Sequence, residues 1–190
     1  DGGATIWVAI ADVAAYVSYA SGPWNFNGNL VLAHNANTMK RNVAVGAWSG
    51  TARSNFDSKT AAVYGEASYD LPKATWTLQP LAGLSVTLNR NDGFTETGAG
   101  AVNLQTDAQN TTSTKTLFGA RALFEFNGIH VQPRAIWAHE FGDVNKGLTA
   151  QLQGLPGAGF TTYGVDLPRD SVTVGKQKGV ALLVGVRKSW

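Results

Sequence analysis

Cysteine is absent and methionine occurs once, which excludes a disulfide framework and thiolate metal sites. Charge is scarce as well. Asp, Glu, Lys and Arg make up 15% of the 190 residues, against roughly 25% in soluble globular domains. The 15 basic and 13 acidic residues are dispersed, so no nucleic-acid footprint forms. No apolar run approaches the roughly 18–20 residues of a membrane helix. Asp1 opens no signal peptide, because a basic leader and an initiating Met are both missing. What is there is a chain rich in Gly, Thr and Asn, with 44% of its residues apolar.

Those apolar residues alternate. Trp24, Phe26, Gly28, Leu30 and Leu32 fall on one side of Asn25, Asn27, Asn29 and Val31. Trp76, Leu78, Pro80, Ala82, Leu84, Val86 and Leu88 fall opposite Thr75, Thr77, Gln79, Ser85, Thr87 and Asn89. Val131, Pro133, Ala135 and Trp137 oppose His130, Gln132 and Arg134, and Val180, Leu182, Val184 and Val186 repeat the pattern near the end. Strict alternation means strands with one apolar and one polar face.

The spacing predicts strands at Thr5–Tyr19, Trp24–Asn37, Ser58–Tyr69, Thr75–Arg90, Lys115–Phe126, Ile129–Gly142 and Val172–Lys188. Connections alternate between short (Ala20–Pro23, Asp70–Ala74, Asn127-Gly128) and long (Thr38–Asp57, Asn91–Thr114, Asp143–Ser171). Sandwich strands typically run about 5–6 residues, whereas a membrane barrel needs about 9–11 within the bilayer, with short turns at one rim and long loops at the other. The expected fold is therefore all-β, an antiparallel up-and-down transmembrane β-barrel. Tyr19, Trp24, Tyr69, Trp76, Phe126 and Trp190 would form an interfacial girdle at the short-turn rim. A soluble β-sandwich binding module and a small porin- or adhesin-like barrel are the competing readings.

Catalytic signals are thin. His139-Glu140 fails the zinc-protease pattern because Asp143 stands where a second His is needed. His34, His130 and His139 show no carboxylate or Ser at triad spacing. Gly154, Gly157 and Gly159 read as loop flexibility. No enzyme activity, cofactor or metal is expected.

The stretches Leu117-Phe118-Gly119-Ala120-Arg121-Ala122 and Gln132-Pro133-Arg134-Ala135-Ile136-Trp137-Ala138-His139-Glu140-Phe141-Gly142-Asp143 resemble the C-terminal translocator barrel of bacterial autotransporters. Gly157-Ala158-Gly159-Phe160, Gly164, Arg169-Asp170-Ser171 and, upstream, Arg41-Asn42-Val43 and Gly50-Thr51-Ala52 fit the same pattern. The resemblance is most specific from Leu117 to Val174. It implies a twelve-stranded barrel in the bacterial outer membrane that carries a passenger across it in type V secretion. Residues 1–190 would be one such domain in part, with about seven strands present and the linker helix, first strands and last strands missing. Implied partners are outer-membrane lipid, the protein's own passenger, the barrel-assembly machinery and periplasmic chaperones. Lumen-lining candidates are Glu66, Gln79, Arg121, Glu125, Gln132, Arg134 and Glu140. With a two-residue hairpin at Asn127-Gly128, Arg121 faces Arg134 and Glu125 faces His130. These charges either keep a lumen solvated or form an electrostatic eyelet that holds the passenger's linker.

Overall fold

Alternation commits each segment to extended backbone with two unlike faces. The computed structural model describes residues 4–46, 48–126, 129–142, 147–165 and 168–179, and builds them almost wholly into antiparallel strands. In chain order these are β1 (Ala4–Ser21), β2 (Trp24–Val45), β3 (Trp48–Tyr69), the two-residue β4 (Leu71–Pro72), β5 (Trp76–Asn91), β6 (Phe94–Thr95), β7 (Leu104–Thr106) and β8 (Gln109–Phe126). There follow β9 (Ile129–Glu140), β10 (Gly147–Leu152), β11 (Gly159–Tyr163) and β12 (Asp170–Gly179). The main sheet runs β1-β2-β3-β5-β8-β9-β12, with β4 folded beside β5. Seven long strands therefore follow one another in sequence order, as in an up-and-down barrel wall. Phe126 faces Ile129, Glu125 faces His130 and Arg121 faces Arg134, the register expected from the hairpin count. Asn127, Gly128, Leu182 and Trp190 lie outside the described residues, and Phe126 is described by its backbone pairing alone.

Directly paired residues share a face, so the register carries each face across the sheet. Gln79 pairs with Arg121 and Arg121 with Arg134, while Glu66 pairs with Asn27 and Gly83, and all fall on the polar face. The opposite face carries Leu30, Leu32, Val63, Leu84, Leu88, Phe118 and Trp137, all exposed. Among the described residues the buried apolar side chains are only Ala52, Leu81, Ala99 and Ala150. Val63, Leu88 and Phe118 each stand 51% open. A sandwich would bury that face against a second sheet. Among the described residues nothing covers it, as expected of the lipid-facing wall of a membrane barrel.

The band has clear edges. From the short-turn rim it runs Trp24 to Leu32 on β2, Tyr69 to Ala61 on β3, Phe124 to Phe118 on β8 and Ile129 to Trp137 on β9. The next position on the same face is polar in every case: His34, Lys59, Thr116 and His139, with Arg90 closing the longer band on β5. About nine residues at about 3.3 Å each, tilted by about 40°, span a height close to the hydrocarbon layer of an outer-membrane barrel. At the lower edge Trp24 meets Tyr69 edge-on at 5.0 Å, Tyr19 stacks with Phe26 at 6.4 Å and Trp76 with Phe124 at 5.7 Å.

The long connections differ from expectation. Thr38–Asp57 is no loop. β2 and β3 stay paired from Trp24↔Tyr69 to Val45↔Trp48, where Gly46 turns with φ of +60°. Alternation persists through this hairpin, but it stands clear of lipid, so both faces carry polar side chains and mimic loop composition. Likewise Asn91–Thr114 contains β6, a short 3-10 turn at Gly100–Val102, β7 and the start of β8. Asp143–Ser171 contains β10 and β11, and together these strands form a second sheet in the order β11-β10-β7-β6. That sheet docks on β3: Arg53 and Thr97 exchange backbone hydrogen bonds of 2.9 and 2.8 Å, and Phe56 stacks on Phe94 at 5.0 Å. Gly154 is a packing residue rather than a flexible one, because a Cβ there would lie 2.4 Å from that of Ala101.

Candidate functional site

The polar face gathers its ionisable side chains into groups at different heights. Glu66, 9% exposed, accepts hydrogen bonds from the Arg121 guanidinium and, at 2.6 Å, from the Tyr64 hydroxyl. Tyr64 lies two residues before Glu66, on the same face of β3. Gly83, directly opposite Glu66, leaves the room: a Cβ there would sit 3.0 Å from the Gly65 carbonyl and 3.6 Å from the Tyr64 hydroxyl. Like charges directly opposed are unfavourable, and Glu66 supplies the anion that lets Arg121 face Arg134. Arg121 Nε is buried and has no hydrogen-bond partner among the described residues.

Toward the short turns, the buried Gln79 amide donates to Asp70 Oδ1, which also accepts from Asn25 Nδ2 at 2.9 Å. Lower still, Lys73, Glu125, His130 and Gln132 border a niche of about 590 Å³. Glu140 lies at the other end of the wall. Its Oε1 accepts from the Thr114 and Gly142 amides at 2.8 and 2.7 Å, and its Oε2 accepts from the Ser113 hydroxyl. Arg169 adds a bond to the Gly142 carbonyl at 3.0 Å. Glu140 thus ties the ends of β8 and β9 to the segment entering β12.

Of the seven lumen candidates, Glu66 and Arg121 bond directly and Glu125 shares a niche with Gln132. Gln79 and Arg134 flank Arg121 in register, and Glu140 stands apart as a tie in the wall. Sequence reasoning missed Tyr64, although its spacing from Glu66 carried the signal. It missed Asp70 because a turn residue has no assigned face, and it placed Asn25 on the polar face of its strand without naming a partner.

Above the wall, Arg41 and Glu96 join the hairpin to the second sheet. Glu96 is fully buried. Arg41 reaches it through Nε at 3.1 Å and Nη2 at 2.5 Å, and the Leu104 amide donates to Oε2 at 2.8 Å. The hydrogen bond to Glu96 raises the pKa of Arg41 above its ordinary value, against the smaller opposing effect of burial.

Two histidines expected to lack carboxylates have them. His34 Nε2 is 3.3 Å from Asp57, and His139 Nδ1 is 2.8 Å from Asp170. Both pairs lie on the lipid-facing side of the wall, just above the apolar band. Strand register created them, not chain proximity. Among the described residues, no three His, Cys, Asp or Glu side chains are placed to hold a metal ion.

A family model described as the autotransporter β-domain matches residues 1–180. The chain is 28% identical over 134 residues to an extracellular serine protease of Serratia marcescens, covering 68% of this chain and 13% of that protein. It is 27% identical over 157 residues to the esterase EstA of Pseudomonas aeruginosa, covering 80% of this chain and 24% of that protein. The chain thus spans less than a quarter of the length of these relatives. Sheet order, uncovered apolar band, polar inner face and family match agree: the chain belongs to the autotransporter β-domain family, the outer-membrane barrels that translocate a passenger in type V secretion.

Proposed function

We propose that residues 1–190 form part of one β-domain whose polar face conducts this protein's own N-terminal passenger in extended form, without bond-making chemistry. The supporting observation is the wall at Glu66, Tyr64 and Arg121. Its ion pair is internally satisfied, so this stretch of the polar face stays hydrophilic without a free charge to arrest a passing chain. Gln79, Arg134, Glu125 and Gln132 complete the polar track, and Glu140 stiffens its outer end. Tyr19, Trp24, Tyr69 and Trp76 seat the short-turn rim at the membrane interface. Delivery depends on periplasmic chaperones and the barrel-assembly machinery, because an uncovered apolar face and long strand edges aggregate in water.

The test is electrical. Replacing Arg121 and Arg134 by Ala in the full-length protein removes two fixed cations and leaves Glu66, so the open pore shifts toward cation selectivity. Reversal potentials in planar bilayers report the shift, and unchanged potentials overturn the assignment of these residues to the conduit.

A further inference from the structure

A furrow of about 700 Å³ crosses the lipid-facing side of β2, β3 and β5 at the upper edge of the apolar band. Its floor is the paired row Leu32, Ala61 and Leu88, and its upper lip is the next paired row, His34, Lys59 and Arg90. Neighbouring strands lie about 4.8 Å apart, so three cationic or protonatable side chains stand within about 10 Å of one another. Lys59 and Arg90 are directly opposed. Two cations in that relation repel unless an anion lies between them.

Among the described residues the carboxylates on this side stand one step above the row, Asp57 on the strand of Lys59 and Asp92 beside Arg90. Asp57 pairs with His34 at 3.3 Å and Asp92 with Arg90 at 3.4 Å, both in solvent-exposed pairs of little strength. Asp12, also bordering the furrow, alternates to the polar face of β1. Lys59 has no carboxylate partner among the described residues. Cations above, aliphatic floor below and a position at the edge of the hydrocarbon layer match an amphiphile with a phosphorylated head.

We propose that this furrow binds a phosphate-bearing outer-membrane lipid. Its phosphate lies between Lys59 and Arg90, and its acyl chains descend over Leu32, Ala61 and Leu88. The site is separate from the polar track, so its failure would leave the conduit reading intact.

The experiment uses full-length protein, delipidated in mild detergent and titrated with lipid A while native mass spectrometry counts bound lipid. Lys59→Gln and Arg90→Gln are each expected to weaken binding about tenfold or more, the loss of one charge-assisted hydrogen bond. Lys59→Arg is expected to retain binding. Lys40→Gln with Arg53→Gln, which removes two charges higher on the hairpin, is expected to leave it unchanged. Heat-modifiable gel migration confirms that every variant is folded. Equal loss in the Lys40/Arg53 variant, full binding by the Lys59 and Arg90 variants, equal binding of dephosphorylated lipid A, or displacement by inorganic phosphate alone would each overturn the proposal.

Discussion

Arg121 shows how one side chain is stabilised by a residue 55 positions away in sequence. The Glu66–Arg121 pair is largely withdrawn from solvent, with side-chain exposures of 6% and 19%. Removing one member of a buried pair leaves the other uncompensated, at a cost of about 3–5 kcal/mol, whereas removing both is far milder. Arg121→Gln is therefore expected to lower the urea midpoint of the folded barrel substantially. Glu66→Gln combined with Arg121→Gln should recover much of that loss, giving a clearly non-additive double-mutant cycle. Additive losses would mean that the two side chains do not act as a pair in the membrane.

Each strand reads differently on its two sides. Leu84 and Thr87 both belong to β5, three residues apart, yet Leu84 meets lipid and Thr87 lies on the polar face. Leu84→Arg is expected to cost about 2–4 kcal/mol of assembly near the bilayer midplane, while Thr87→Arg should be milder because its guanidinium meets water. Heat-modifiable gel migration measures both, and equal defects would mean that the faces are exchanged. The second sheet is held by fewer contacts, and Glu96 is central among them. Glu96→Ala would leave Arg41 without its carboxylate and the Leu104 amide without an acceptor. Faster hydrogen exchange is expected at Arg53, Thr97 and Leu104, with β5 and β8 unaffected. Uniform loosening of all strands would show that Glu96 supports the wall rather than the docking.

Over the whole molecule the described strands form an open sheet, in which β1 pairs only with β2, and β12 only with β9. In water such edges invite association. In hydrocarbon each unsatisfied backbone group costs several kcal/mol, so a spanning sheet must have both edges paired. Full-length protein in lipid bilayers is therefore expected to show slow amide exchange along both β1 and β12, comparable with β5. Rapid exchange at alternate residues of either strand would mean that this edge faces water, and the closed-barrel reading would fail.

The two-faced strands, the short-turn aromatics and the β8–β9 register were determined by the sequence alone. Each depends on neighbours along the chain: a period of two, a polar turn, a count from one hairpin. The same locality misplaced the segment from Thr38 to Asp57, where strand alternation continues but the environment changes from lipid to water. Tertiary structure alone decided which carboxylate neutralises Arg121, that Asp70 accepts from Gln79 and Asn25, that Glu96 is buried by Arg41, and that two connections build a second sheet. The reason is stagger. Glu66 stands opposite Gly83 while Arg121 stands opposite Gln79, so their meeting across β5 depends on how far each strand slides past the next. That slide is set by tilt and closure of the wall, which no short stretch of residues encodes.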